Sequence, residues 1–215
     1  METATERSLI DAATDAGVRD ARVLDAIRRT PRHRFVPPEL AHRAYEDRPL
    51  PIAHRQVTTQ PSLVARMLAA LALEGKERVL EVGAGHGWQT ALLSRLASRV
   101  WSVELWPDLA ETARGNIERE GIDNVTIVTG DGTRGLPEHA PFDAIIVAAA
   151  FPTVPPPLVD QLAPAGRLVQ PIGPSGAERV MVFERSPEGL TRPRLVTYAS
   201  FVPLYGAYGY GDSPD

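Results

Sequence analysis

Apolar residues recur along this chain in two rhythms. Val23, Ala26 and Ile27, and later Leu63, Val64, Met67, Leu68 and Leu71, fall at helical spacing, so helices are predicted over 6–16, 21–29 and around 63–71. Thr30-Pro31 stops the second of these, and Thr59 or Ser62 is the predicted cap of the third, with Pro61 in its first turn. From residue 79 the rhythm changes to short, nearly uninterrupted apolar runs: Val79–Val82, Val100–Val103, Val125–Val128 within 124–129, Phe142–Val147, and a fifth over 166–173. Such runs suit parallel strands covered on both faces. Helical stripes lie between them: Ala91, Leu92, Leu93, Leu96 and Ala97 after the first, Leu109, Ala113 and Ile117 in a helix over 108–120, and a short helix over 154–162. Strand and helix in alternation predict a mostly parallel α/β sheet with helices on both faces. Residues 180–185 and 195–201 read as a closing antiparallel pair.

Two irregular regions interrupt this order. Pro31–Pro38 reads as an extended basic-aromatic connector and 44–61 continues without a period, which in a compact domain usually marks function. The tail from Leu204 carries Gly206, Gly209 and Gly211 with Tyr205, Tyr208 and Tyr210, and either lies free or covers a site.

Composition narrows the possibilities. At 215 residues one α/β domain is expected over 1–215, made of a helical region (1–75), a sheet core (76–204) and a tail (205–215). A net charge of -4 argues against a nucleic-acid surface. The absence of cysteine excludes a thiolate nucleophile and cysteine-ligated metal, and fits a cytoplasmic location. The start, Met1–Arg7, lacks the pattern of a signal peptide, and no apolar run is long enough to span a membrane, so neither leader nor span is expected. The prolines and glycines gather in 152–157, 171–176 and the tail, which are read as loops.

The chemistry concentrates after the first strand. Glu81 precedes Gly83, Gly85 and Gly87, and a dinucleotide fingerprint fails because Trp88 occupies its sixth position. An acid followed by alternating glycines resembles motif I of the class I S-adenosylmethionine (AdoMet) methyltransferases. A carboxylate suits AdoMet, whose sulfonium and ammonium are cationic, and would repel a pyrophosphate. Glu104 closes the second strand 19 positions after Gly85, where an acid can accept from both hydroxyls of a ribose or simply be solvated. Asp131, between Gly130 and Gly132, either accepts from an adenine amino group or makes an Asp-Gly turn.

Taken together, Arg32–Pro37, Ala44–Asp47, Leu50–Ile52, Gln56–Pro61, Val79–Thr90, Gly130–Gly132, Pro141–Val147 and Phe201–Leu204 resemble the protein-L-isoaspartate (D-aspartate) O-methyltransferase family, over roughly residues 20–204. The resemblance implies a Rossmann-like class I methyltransferase fold and AdoMet as cofactor. It implies methylation of the α-carboxylate of L-isoaspartyl residues in protein or peptide substrates, with no metal, and a monomer is expected. Cofactor contacts are implied at Glu81, Gly83, Gly85, Gly87, Gln89, Thr90, Glu104, Leu105, Gly130, Asp131 and Gly132, and substrate contacts at Ile52, His54, Arg55, Gln56 and Thr58. Thr59 stands where the family carries a hydroxyl residue beside the reacting methyl. A carboxylate nucleophile is ionised at neutral pH and needs no general base, only orientation and desolvation.

One segment departs from the family. Ala53 and Arg55 stand where it usually has glycine, and His54 adds bulk, so Arg55 faces either the substrate or solvent. This leaves two further readings: a normal aspartate in one dedicated biosynthetic peptide as acceptor, or a binding module without turnover. The exit of the fourth strand, Ala148-Ala149-Ala150, lacks the ligands of metal-dependent catechol-type enzymes and the polar motif of enzymes that methylate nucleic-acid amines.

Overall fold

The computed structural model describes residues 4–174 and 176–212, with side chains described from residue 8 onward. The first residues of the leader reading, Met1–Thr3, Ser175 of the 171–176 loop, and the tail's Ser213–Asp215 lie outside them.

Helices α1 (Ala4–Asp15) and α2 (Ala21–Arg28) come first, and Asp20 caps α2 by accepting from the Arg22 N–H at 2.9 Å. A small antiparallel hairpin, β1 (Leu50–Pro51) and β2 (Val57–Thr58), precedes α3 (Pro61–Leu71). There follow β3 (Arg78–Val82), α4 (Trp88–Leu96), β4 (Arg99–Glu104), α5 (Pro107–Arg119), β5 (Val125–Thr129) and β6 (Phe142–Val147). The chain continues through α6 (Pro156–Asp160), β7 (Leu162–Ile172), β8 (Arg179–Ser186), β9 (Gly189–Leu190) and β10 (Arg194–Tyr198).

The main sheet runs β10-β8-β7-β6-β3-β4-β5, with β9 attached to β8. Pairings from β5 through β7 are parallel, while β7–β8 and β8–β10 are antiparallel. Its strands are apolar on both faces because both are covered. Val79, Val100, Ile146 and Val169 pack with α1 to α5 through residues such as Leu9, Ile27, Leu68, Leu92 and Ile117. Their neighbours Leu80, Trp101, Ile145 and Leu168 pack on the other face with Leu158 of α6 and Leu204 of the tail. β3 sits between β4 and β6, so the strand order reverses there and a crevice opens at its C-terminal end.

Five sequence expectations are corrected. Within the predicted extended connector, residues 32–35 form a 3-10 turn closed by Arg34 N–H to Pro31 O (3.2 Å), which buries both Arg32 and Phe35, and a second 3-10 turn follows over 38–43. The helix predicted over 154–162 is the shorter α6, and the strand predicted from 166 begins at Leu162. Neither Thr59 nor Ser62 caps α3: its N-cap is Gln60, and Asp47 accepts from the Ser62 N–H at 2.8 Å from a distant part of the chain. The second closing strand ends at Tyr198, with a register shift between Leu195 and Thr197.

Candidate active site

The loop leaving β3 turns through Gly83, Gly85 and Gly87, all with positive φ (94°, 55° and 89°), which explains the glycine at every second position. It is anchored in the sheet by the Gly83 N–H to Val103 O (2.8 Å) and crowned by Glu104, whose carboxylate accepts from the N–H groups of Gly85 (2.8 Å) and Trp106 (3.1 Å). Glu104 is 5 % exposed, and burial pushes its carboxyl up against the pull of these backbone donors. Gly132 comes so close to Val82 that a Cβ there would collide with Val82 Cγ1. The result is a cleft floored by Gly83, Ala84, Gly85 and Gly132 and walled by Leu105, Trp106 and Leu109. Glu104 is the one carboxylate lining it among the described residues.

Glu81 does not reach this cleft. It is fully buried beneath the loop and accepts from Gln89 Nε2 (2.9 Å), Thr90 Oγ1 (2.5 Å) and Ser102 Oγ (2.6 Å). Burial raises its pKa to about 7 in spite of these three donors. Its role in the structure is to hold the start of α4, not to face a cation directly, and Thr90 is spent on the same contact. Gln89 remains in the cleft wall.

The opposite wall comes from the β1–β2 hairpin and the residues after it: Ile52, Gln56, Val57, Thr58 and Thr59. Arg32 organises this wall. Its guanidinium, on a residue 1 % exposed, donates to the carbonyls of Ala44 (2.9 Å), Glu46 (3.1 Å), Arg48 (3.2 Å) and Thr59 (3.4 Å) and to Thr58 Oγ1 (2.9 Å). It also lies over the Trp88 ring, 5.4 Å from the centroid. Desolvation lowers its pKa to about 10, with Asp47 and Glu46 opposing, so it stays charged at neutral pH. Thr58 Oγ1 also accepts from the Leu50 N–H at 3.1 Å, which commits that hydroxyl to the hairpin. The Thr59 hydroxyl makes no hydrogen bond among the described residues, and Thr59 lines both the cleft and an adjoining groove bordered by Gln60, Ala148, Ser200 and Phe201.

Two predicted substrate residues lie elsewhere. His54 stacks on Trp106 (3.9 Å between centroids, 1° between planes) and bonds to Asp108 at 2.8 Å, latching the hairpin to α5. Arg55 is exposed and does not line the cleft. Both have φ of 56°, which accounts for the glycine usual at position 55. The Asp131 carboxylate is already occupied by Thr133 N–H (2.9 Å), Arg134 Nε (3.2 Å) and, from the tail, Ala207 N–H (2.9 Å). Burial works to raise this carboxyl, but the hydrogen bonds hold it below its ordinary value. Asp131 and Gly130 line a neighbouring depression instead of the cleft. The tail therefore covers the site, with Tyr205 in the cleft wall. His86, Trp106, Ala148 and Val202–Tyr205 are cleft residues that sequence reasoning did not assign. The Phe201–Leu204 resemblance and the alternative reading of the tail as a cover were the signals for the last group.

The protein-L-isoaspartate(D-aspartate) O-methyltransferase family model matches residues 4–209. The chain belongs to this family. A protein-L-isoaspartate O-methyltransferase of Anaeromyxobacter dehalogenans is 52% identical over 200 residues, covering 92% of this chain and 96% of the relative. One from Aeropyrum pernix is 51% identical over 197 residues, covering 90% and 76%. Among solved structures, a protein-L-isoaspartate O-methyltransferase superposes with a TM-score of 0.83 at 31% identity, over 95% of this chain and 67% of the other. A Plasmodium falciparum protein solved with S-adenosyl-L-homocysteine shares the fold at a TM-score of 0.79 and 23% identity, over 93% and 97%.

Proposed function

We propose that this chain methylates the α-carboxylate of L-isoaspartyl residues in damaged proteins and peptides, using AdoMet. The observation that carries the proposal is the free Thr59 hydroxyl on the rim between the cleft and the adjoining groove, within a chain about half identical to enzymes of that name. The cleft fits AdoMet: bare glycine backbone as floor, a single acid where a ribose would lie and apolar walls, with no lysine or arginine lining it among the described residues. AdoMet supplies an electrophilic methyl group on a sulfonium centre.

The chain's residues do the positioning. Glu104, held by two backbone N–H groups, presents its remaining lone pairs to a ribose diol. Thr59 donates to the substrate carboxylate and leaves its second oxygen to attack the methyl carbon in line. The new O–C bond forms as the C–S bond breaks, its electron pair passes to sulfur, and no proton moves. Ile52, Trp106 and the tail exclude water, which strengthens these contacts. The ester product then closes to a succinimide on attack by the neighbouring backbone nitrogen, with loss of methanol and without enzyme.

Within this reading the chain is a cytoplasmic monomer of one domain acting on protein and peptide substrates. No helix among the described residues is long and apolar enough to cross a membrane. The dedicated-peptide alternative rested on the altered segment 53–57, in which Arg55 is exposed outside the cleft and His54 is held against Trp106 and Asp108, so neither departure supplies a new contact for a special substrate. The test is to incubate the protein with labelled AdoMet and two peptides differing only in an isoaspartyl or aspartyl linkage. Label should enter the isoaspartyl peptide alone; equal labelling, or none, sinks the proposal.

A further inference from the structure

A second cavity, of about 360 Å³, lies behind the tail segment and is lined by Ala150, Glu178, Phe201, Pro203, Tyr205, Tyr210 and Asp212. The segment that walls it is tied to the exit of β6 by Ala150 N–H to Val202 O and Leu204 N–H to Ala150 O, both 2.8 Å. Extended backbone alternates its side chains, so positions 201, 203 and 205 share one side, the side of this cavity. Pro203 and Tyr205 also line the cofactor cleft, and Phe201 the groove beside Thr59. One extended segment therefore separates the cavity from the place of methyl transfer.

Glu178 lies in its wall, 1 % exposed, and neither carboxylate oxygen has a hydrogen-bond partner. Buried acids are ordinarily satisfied, as Glu81 is by three side-chain donors, because an unpaired carboxylate loses its hydration for nothing. Glu178 has a second acid, Asp212, in the same cavity, where like charge worsens the deficit. What the cavity lacks is positive charge. Its remaining walls say which kind: they are rich in aromatic rings, Phe201, Tyr205 and Tyr210, the last held edge-on against Phe151 at 5.0 Å, and such rings suit an organic cation. A metal ion needs more ligands, and no group of three His, Cys, Asp or Glu able to hold one occurs among the described residues.

We propose that this cavity receives the ammonium or guanidinium of a basic residue flanking the isoaspartate in the substrate, with Glu178 as its counter-ion. The inference rests on the isoaspartyl reading above and adds a specificity to it: the enzyme prefers damaged sites that have a lysine or arginine at one fixed offset. Phe201 borders both the groove beside Thr59 and this cavity, so the route for a long flexible side chain whose backbone lies in the groove runs past Phe201.

The experiment compares isoaspartyl peptides identical except for lysine or glutamine, placed in turn at each of the flanking positions. One position should show a kcat/KM about tenfold higher for lysine, through KM, and Glu178→Gln should bring that ratio close to one. The ratio is internal to each variant, so a loss of folded enzyme cancels. Should Glu178→Gln not fold, Tyr210→Ala is the second probe, and it should lower the ratio about threefold. No preference at any position, or a preference that survives the substitutions, overturns the inference and leaves the methyltransferase reading standing. Methylation of no isoaspartyl peptide at all overturns both.

Discussion

Thr58 and Thr59 are adjacent and chemically identical, yet their hydroxyls have opposite fates: Arg32 and the Leu50 N–H engage the first, and the second is free at the rim of the cleft. Thr59→Val should therefore lower kcat about a hundredfold while AdoMet affinity by calorimetry changes less than twofold; equal losses in both would remove Thr59 from the reaction. Glu81 supports a pH prediction. An acid whose folded pKa lies above its unfolded value contributes stability fully below the unfolded value, and that contribution is lost as pH rises through the folded one. With a shift from 4.5 to about 7, the loss between pH 4 and 8 is roughly 3 kcal/mol. Urea unfolding of the unsubstituted protein and Glu81→Gln should diverge by this amount across that window, and parallel curves would contradict the assignment. Arg55 holds a left-handed φ of 56° that costs a non-glycine residue about 1 kcal/mol, so Arg55→Gly should leave the Tm unchanged or raise it by a few degrees. A lower Tm would show that the arginine side chain makes up for the strain.

At the level of elements, the irregular region 31–60 behaves as one unit because a single buried guanidinium bonds to five of its oxygen atoms, spread from Ala44 to Thr59. Arg32→Met removes all five donations and leaves carbonyls unpaired, at a cost of about 3 kcal/mol or more. Peptide KM should rise more than AdoMet Kd, since the hairpin forms the wall that leads to the proposed methyl-transfer residue Thr59; the reverse order would move Arg32 to the cofactor's side. The same region shows where periodicity fails as a guide. Its segments have no repeat to read, and their shape comes from hydrogen bonds to one side chain that the sequence presents as one of several arginines. The cap of α3 was illegible for a similar reason: Asp47 lies 15 positions before Ser62 and reaches it only once the loop has folded.

In the whole molecule, the cleft is assembled from the exits of β3, β4 and β6, a hairpin from the N-terminal region and a tail from the far end. Tyr205 in the wall and the Ala207 N–H on Asp131 make that tail part of the site. Deleting residues 205–215 should weaken S-adenosylhomocysteine binding about tenfold, or 1.4 kcal/mol; unchanged affinity would mean that the tail only rests on the surface. The sequence by itself determined the strand–helix alternation, the glycine turn after β3, the acid ending β4 and the family, because each is encoded by residues close together in the chain and limited by local sterics. It also located the loop that carries Thr59. Only the tertiary structure decided which of two threonines is free, that Glu81 braces α4 from below and does not line the cleft, that Arg55 is exposed outside the cleft, and that Glu178 is buried without a partner. Each of these depends on groups far apart in sequence meeting in a low-dielectric interior, where a hydrogen bond made or missing sets what a side chain can do.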